Sequence, residues 1–155
     1  MIDTELASFL QEGVGIHIAS RNAALEPNGS RALAVRVDAD GRHLEVYLAA
    51  AAAARILPDL RANGQAAVGF GRPVDDRSCQ VKGLFIGVRD AGDDDRPLIT
   101  GQWDLFLANL EKIGIPRAAT RAWITWPVVA IRLRANAIFD QTPGPGAGAQ
   151  ITTSP

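Results

Sequence analysis

The pattern of apolar and polar positions predicts short strands combined with two or three short helices. Between residues 2 and 11, apolar residues recur at helical spacing, and Gly13 ends the pattern. Residues 14–19 then alternate between apolar and small or polar side chains, which predicts a strand. Residues 22–30 are rich in turn-forming residues and predict a reversal of the chain.

The clearest local feature is a hairpin. Residues 31–37 and 44–48 have the alternation of strands, and the segment between them, residues 38–42, combines acidic residues with Gly41. Such residues accept the unusual backbone angles of a tight turn. We therefore expect these two strands to pair in antiparallel fashion.

The second half of the chain predicts further strands and two more helices. Residues 50–63 favour a helix that ends at Asn63-Gly64, with Pro58 indicating a kink or a start nearer Leu57. The remaining elements are predicted as strands over 66–70, 80–88 and 126–139, an acidic surface loop over 90–97, and an amphipathic helix through Trp103, Phe106, Leu107 and Leu110 that ends before Gly114 and Pro116.

Length and composition favour one domain. The 155 residues (16.4 kDa) are predicted to form a domain over 1–141, followed by a Pro/Gly-rich tail, 142–155, that is extended or mobile. A net charge of -1 gives no positive field for nucleic acid or a membrane surface. The lone cysteine, Cys79, excludes an intrachain disulfide and is expected in the core. With no signal-like start and no apolar run of about 20 residues, we expect a cytoplasmic protein.

Strand parity groups the polar side chains, because successive residues of a strand point to opposite faces. Arg36 and Tyr47 fall opposite the apolar set of the hairpin, and Gln80 and Lys82 share one face. Arg132 and Arg134 share a face of the last strand. Arg31 lies five positions before Arg36, so it joins that face only from the end of the strand or through a bulge.

These side chains match the needs of a flavin nucleotide. Arg31 and Arg55 could hold a phosphate through their guanidinium groups. Ser78, Gln80 and Tyr47 could address the edge of a flat ring. FMN combines both demands, and its flavin carries the redox chemistry without requiring a catalytic side chain.

The same residues resemble the pyridoxamine 5'-phosphate oxidase-like FMN-binding proteins. The segment from Ser30 to Arg36 is similar to the family's Arg-x4-Lys strand, Tyr47-Leu48 to a cofactor-contacting pair, and Cys79-Gln80-Val81-Lys82-Gly83 to its glutamine segment. Ala54-Arg55-Ile56 resembles the family's Ser-Arg-Lys, with Ile56 in place of the lysine. The Arg-Leu-x-Pro ending of true pyridoxamine phosphate oxidases is missing, so that reaction is not implied.

The resemblance implies a mainly β (α+β) fold, an antiparallel six-stranded split β-barrel with two or three short helices. It further implies a homodimer that binds FMN between subunits and acts as an oxidoreductase on a small molecule. Arg36 is implied near the substrate, and no catalytic residue or metal site is implied. The implied cofactor-binding residues are Arg31, Ala32, Leu33, Ala34, Tyr47, Leu48, Arg55, Ser78, Gln80 and Lys82.

Other interpretations stay open. The arginines could be solvated strand positions, Lys82 could protect a sheet edge, and the groove could serve a non-enzymatic dimeric module that binds haem, a deazaflavin or nothing. His17 and His43 lack partners in a catalytic spacing, and Asp93-Asp94-Asp95 lacks the glycine and distal glutamate of a calcium loop. The three tryptophans, Trp103, Trp123 and Trp126, are expected in the core or the dimer interface, where one could stack on a flavin.

Overall fold

Seven strands form one antiparallel sheet in this computed structural model, which describes residues 1–151 except for the side chain of Arg121. The strand order is β2-β1-β5-β6-β7-β4-β3. The antiparallel pairing is as predicted, but the predicted number of six strands is wrong. The strands are β1 Gly15–Arg21, β2 Pro27–Ala32, β3 Ala34–Val37, β4 His43–Ala49, β5 Gln65–Gly71, β6 Ser78–Asp90 and β7 Val128–Asp140.

The additional strand arises because the predicted strand 31–37 is divided at Leu33. Arg31 belongs to β2 and pairs with His17, whereas Arg36 belongs to β3 and pairs with Glu45. At the break, the Leu33 backbone N–H donates to the Tyr47 carbonyl over 2.7 Å. The parity conflict between Arg31 and Arg36 therefore disappears, since the two arginines lie on different strands.

The sheet is curled, because its two end strands, β2 and β3, follow one another in the chain and meet at Leu33. The result is a half-barrel whose interior holds the main apolar core. Ile18, Val68 and Ile131, on three different strands, are fully buried in it. The buried side chains inside the half-barrel thus hold together the curved sheet that carries the predicted site.

The structure has three longer helices, α1 (Thr4–Gln11), α2 (Ala50–Asn63) and α3 (Arg96–Lys112), and one short helix, α4 (Arg117–Thr120). The Asp3 side chain caps α1 by accepting from the Leu6 N–H over 2.8 Å. Pro58 lies inside α2, so the later helix start considered for it is wrong, while Gly64 ends the helix with φ 72° as predicted.

Helix α3 packs outside the half-barrel and forms a second apolar cluster with the sheet. Its Trp103, Phe106 and Leu110 cover Tyr47 and Ala130. The acidic segment before α3 is not a plain surface loop, because Asp93–Asp95 forms a 3-10 turn in which Asp95 is only 4% exposed. The negative residues that looked solvated thus include one buried carboxylate.

The contact of α3 with the start of β1 depends on glycine. Gly13 has φ +71°, and a Cβ there would lie 2.6 Å from the Leu105 carbonyl carbon of α3. The Asn109 side chain also donates to the Gly13 carbonyl over 3.0 Å. This close approach brings one side of α3 next to the exposed face of the sheet.

The C-terminal segment was predicted to be extended or mobile, and its described part folds back along β7. Gln150 forms an isolated antiparallel bridge with Phe139 of β7, and the Ile151 N–H donates to the Ile138 carbonyl over 2.8 Å. Residues 152–155 of the predicted tail lie outside the described part of the chain. Across residues 1–151, no helix combines the length and apolar character needed to cross a membrane.

Candidate functional site

The outer face of the sheet carries a row of side chains drawn from five neighbouring strands. Arg31 of β2 pairs with His17 of β1, which pairs with Gly69 of β5; Gly69 pairs with Gln80 of β6, and Gln80 with Phe139 of β7. The four side chains of this row therefore point away from the barrel interior, and Gly69 leaves a gap between them. The order of the sheet brings Arg31 and Gln80, 49 positions apart, onto one surface.

A groove of about 490 Å³ opens above part of this row. Three of the predicted cofactor residues, Arg31, Ser78 and Gln80, line it, and Phe106 and Leu110 of α3 contribute apolar surface. The volume lies in the range of roughly 300–1,000 Å³ that small-molecule sites occupy. The groove thus combines one cation, an amide and a hydroxyl with an apolar wall.

Glycines form much of the groove floor. Gly15, Gly69 and Gly71 all line it, and a Cβ built on Gly69 would meet no atom within 4 Å. The space above Gly69 is therefore open, and a flat ligand can approach the backbone there. At Gly15 a Cβ would lie 3.3 Å from the Phe106 ring, so this glycine also allows α3 to close the side of the groove.

Arg31 is the principal charge of the groove. Its guanidinium carbon lies 4.4 Å from the centre of the Trp123 ring and 5.8 Å from that of Phe106. Burial lowers the pKa of Arg31, and among residues 1–151 no carboxylate forms an ion pair with it. An anionic ligand would therefore meet a cation that is not already neutralised.

His17 shares the groove floor with Arg31. Burial, and secondarily the nearby Arg31 charge, lowers the pKa of His17 below its ordinary value. The lowered pKa favours the neutral imidazole, which offers one ring N–H donor and one acceptor. The sequence had favoured an inert histidine here, because its partners across the sheet are distant in the chain.

Arg55, the second predicted phosphate ligand, is not brought to this groove. Its carbonyl accepts from the Asn28 side chain over 2.6 Å, and Asn28 precedes Arg31 by three residues along β2, or roughly 10 Å. The Arg55 side chain is exposed on α2. Ile56 beside it is fully buried in the core, so this position serves packing.

Lys82 lies on the same outer face but in the next row. Its ammonium group is 4.8 Å from the centre of the Phe139 ring, and it borders a separate cavity of about 290 Å³ together with Arg21 and Gln65. Within a single protomer, Lys82 is therefore a neighbour of the groove but does not line it.

Five other predicted cofactor residues have buried side chains. Ala34, Tyr47 and Leu48 are fully buried, and Ala32 and Leu33 are nearly so. Leu48 and Ala32 belong to the barrel interior, whereas Leu33, Ala34 and Tyr47 lie beneath α3. The structure does not bring these side chains to the groove surface.

Tyr47 instead belongs to an ion cluster. Its hydroxyl lies 2.9 Å from both Glu45 Oε2 and Asp95 Oδ1. Arg89 reaches the same two carboxylates over 2.6 Å each, and Arg36 pairs with Asp95 over 3.1 Å. Arg36, predicted near the substrate, is thus engaged in this cluster and lies away from the groove.

The cluster shifts the acid–base behaviour of its members. Hydrogen bonds from Arg89 lower the pKa of Glu45 and Asp95, against the opposing effect of burial. Burial, followed by the hydrogen bonds to Glu45 and Asp95, raises the pKa of Tyr47. All of these groups therefore keep their usual charge states near neutrality, as a structural cluster requires.

Asp38, Asp40 and His43 at the β3–β4 turn place one ligand atom each within 4.8 Å of one another. Arg132 already pairs with Asp38, and the His43 ring nitrogen already contacts Asp40 over 2.6 Å. The contacts within the turn account for these residues without a metal.

The sequence analysis missed the apolar and glycine parts of the groove. The alternation Ala-Val-Gly-Phe-Gly in β5 was the available signal, since glycines within a strand often mark a close approach to backbone. Phe106 was identified only as an apolar position of an amphipathic helix, and the three tryptophans were expected in the core or the dimer interface. Trp103 is buried in the core as expected, whereas Trp123 is exposed. The relation of Phe106 and Trp123 to Arg31 depends on the tertiary placement of α3 and of the segment after it.

No family model and no curated protein matches the sequence. Solved structures do match the fold. A structure of HupZ from Group A Streptococcus is 16% identical, with a TM-score of 0.56 over 96% of this chain and 100% of that chain. An F420 reductase is 18% identical, with a TM-score of 0.53 over 84% and 93%.

A third structure is a putative pyridoxamine 5'-phosphate oxidase from Lactobacillus delbrueckii, 12% identical, with a TM-score of 0.53 over 88% of this chain and 92% of that chain. At such identities the likeness concerns the fold and not the ligand. The matches extend over most of both chains, and they are consistent with the curled antiparallel sheet of this structure. The chain therefore has the split-barrel fold of the pyridoxamine 5'-phosphate oxidase-like proteins.

Proposed function

We propose that this chain is a flavoprotein that binds FMN in the groove above the glycine floor and acts as an oxidoreductase on a small molecule. The observation that carries the proposal is the convergence of Arg31, Ser78 and Gln80 on one groove. These residues come from β2 and β6, which are separated in the sheet by β1 and β5. Three of the six polar residues that the sequence analysis assigned to the cofactor thus lie at one groove.

The residues present fit the two parts of FMN. Arg31 offers a guanidinium fork to a phosphate, and no carboxylate within residues 1–151 competes for it in an ion pair. The open space over Gly69 admits a flat ring, and the Gln80 amide and Ser78 hydroxyl can address the polar edge of such a ring. When bound, the flavin would supply hydride or electron transfer.

The homodimer belongs to the same proposal. The groove is bounded by the sheet and by α3 but is open on its remaining side. A second copy placed over this face would enclose the ligand. We also propose a cytoplasmic protein, for which the single buried cysteine, Cys79, gives support.

The test is cofactor identification on the purified chain, followed by titration with FMN. The proposal expects flavin absorbance or saturable binding of added FMN, and sedimentation as a dimer. Arg31→Ala should weaken binding roughly tenfold to hundredfold, as expected for loss of a charged hydrogen bond. Arg132→Ala is the matched control, since Arg132 pairs with Asp38 away from the groove. A colourless protein without FMN binding, or equal effects of both substitutions, would contradict the proposal.

A second candidate is a non-enzymatic binding module that takes a deazaflavin or haem in the same groove. It is favoured by the absence of Arg55 from the groove and by the burial of Ile56, which together remove two cationic contacts expected for the FMN phosphate. One similar structure is an F420 reductase, and F420 is a deazaflavin. His17, which lines the groove, also offers a ring nitrogen for haem iron.

Parallel titrations separate the two candidates. Saturable binding of F420 or haemin with no binding of FMN would support the second candidate and contradict the first. Binding of FMN with bleaching of its colour by NADH or NADPH would support the first. His17→Ala should abolish a haem spectrum but leave FMN affinity within a small factor.

A further inference from the structure

We infer that Trp123 is a positioning residue for Arg31: its indole ring holds the guanidinium at the groove and thereby raises the affinity for the anionic group of the ligand. The inference rests on the proposed function in taking the ligand to be an anionic flavin. It adds a residue outside the groove lining to the determinants of binding.

The guanidinium group of Arg31 lies over the face of the Trp123 ring. The Arg31 guanidinium carbon lies 4.4 Å from the centre of the Trp123 ring, and Phe106 of α3 approaches the same group at 5.8 Å. Trp123 ends the 3-10 turn Arg121–Trp123, after α4. Helix α3 and the 3-10 turn after α4 therefore both present aromatic rings to one arginine of the distant strand β2.

A contact with a ring face does not occupy the N–H donors of the arginine in an ion pair. A cation over an aromatic ring interacts through the ring face, while the five N–H donors of a guanidinium lie in its own plane. A carboxylate partner would instead occupy those donors in a bidentate pair. A ring that holds Arg31 thus orients the side chain without consuming the groups that would bind a phosphate.

Arg31 differs in this respect from the other stacked arginines in residues 1–151. Five more arginines lie near aromatic rings, and each of them also pairs with a carboxylate: Arg36, Arg72, Arg77, Arg89 and Arg96. Arg31 combines a stacked ring with no such pair in the described part of the chain. This combination occurs at the groove and points to a cation reserved for an external anion.

The ring is held from outside the groove. Trp123 is 40% exposed, so removing it leaves no large internal void. The segment that carries Trp123 is connected to α3 by ion pairs: Arg117, at the start of α4, pairs with Glu111 over 2.9 Å and with Asp104 over 3.4 Å. A change at Trp123 should therefore affect the orientation of Arg31 more than the stability of the fold.

The experiment compares Trp123→Leu and Trp123→Phe with the control Trp126→Leu. Trp126 stacks on Arg96 at 4.1 Å, a similar contact away from the groove. Each variant is titrated with FMN and with riboflavin, which has the same ring but no phosphate. Trp123→Leu should weaken FMN binding roughly threefold to thirtyfold, as expected for loss of a cation–π contact.

Riboflavin binding should change little in Trp123→Leu, and Trp123→Phe should be intermediate for FMN, because Phe keeps a weaker ring face. The control should bind both ligands like the wild type. The order of FMN affinities among the wild type, Trp123→Phe and Trp123→Leu can still be interpreted if one variant is poorly folded, because the other variant still tests the ring.

Unchanged or tighter FMN binding in Trp123→Leu would overturn the inference and leave the proposed function intact. An equal loss for FMN and riboflavin would also overturn it, since Trp123 would then act on the ring or on the fold. Failure of the wild-type protein to bind FMN at all would overturn both this inference and the proposed function.

Discussion

Tyr47 and Asp95 are 48 positions apart, yet the Tyr47 hydroxyl lies 2.9 Å from Asp95 Oδ1. The same hydroxyl lies 2.9 Å from Glu45 Oε2. A phenol has one proton, so it can donate to only one of the two carboxylates at a time. Arg89 pairs with both carboxylates and so also neutralises the one that does not accept the phenol proton. The cluster thereby connects β4 to the turn that precedes α3.

The first prediction concerns this hydroxyl. Tyr47→Phe removes a donor from two nearly buried carboxylates and should lower the free energy of unfolding by about 1–3 kcal/mol. Chemical denaturation measures the change. Ser8→Ala is the control, because it removes an exposed hydrogen bond to Glu12 and should cost less than about 0.5 kcal/mol. Equal effects would show that the cluster contributes little.

A second prediction concerns acid stability. Because the folded state lowers the pKa of Glu45 and Asp95, the unfolded chain binds protons more readily than the folded one. The stabilisation is complete above about pH 5 and is lost as the pH falls through the lowered pKa values. Asp95→Asn should flatten the dependence of the unfolding free energy on pH below 5.

Asp93→Asn provides the comparison, because Asp93 is exposed and outside the cluster. Denaturation curves at several acidic pH values should show a wild-type slope for this variant. A slope unchanged in Asp95→Asn would mean that other carboxylates dominate acid unfolding.

A third prediction is that alanine substitutions at two glycines, Gly41 and Gly101, change the stability in opposite directions. Gly41 has φ +61°, and a Cβ there would overlap the Ile2 carbonyl oxygen, so Gly41→Ala should destabilise by at least about 2 kcal/mol. Gly101 lies in α3 with no atom within 4 Å of a Cβ, and Gly101→Ala should stabilise by about 0.5–1 kcal/mol. Thermal or urea unfolding that gives the same sign for both would contradict this account.

A fourth prediction concerns Cys79. Burial raises the pKa of its thiol to about 12, so almost no thiolate is present near pH 8. The folded protein should react very slowly with a disulfide reagent, and denaturation should release the thiol. Ala54→Cys in a Cys79→Ser background places a thiol on the exposed side of α2 and should react rapidly when folded. Rapid reaction of native Cys79 would contradict its burial.

Periodicity predicted the helices and most strands well. The apolar spacing in residues 50–63 and around Trp103 corresponds to α2 and α3, since both helices bury one stripe. The start of β2 was missed because Pro27, Asn28 and Gly29 indicate a turn by composition. The break at Leu33 was missed because apolar residues continue across it on both strands.

The site was only partly predictable, for physical reasons. Arg31 and Gln80 were identified as polar residues of strands, and Ser78 as a polar residue just before the strand 80–88; the sheet order places all three at one groove. Tyr47 was misjudged because its partner Asp95 lies in an acidic run that gives no sign of burial. The stack of Trp123 on Arg31 depends on where α3 and α4 pack, which spacing along the chain does not encode.

The single residue Leu33 separates two chemical environments that the sequence places side by side. Because Arg31 and Arg36 face different surroundings, a substitution that alters the groove need not disturb the ion cluster, and the reverse also holds. A ligand-binding face of this kind can change its preference while the scaffold that anchors α3 is conserved. The break at Leu33 thus allows the groove to vary independently of the ion cluster.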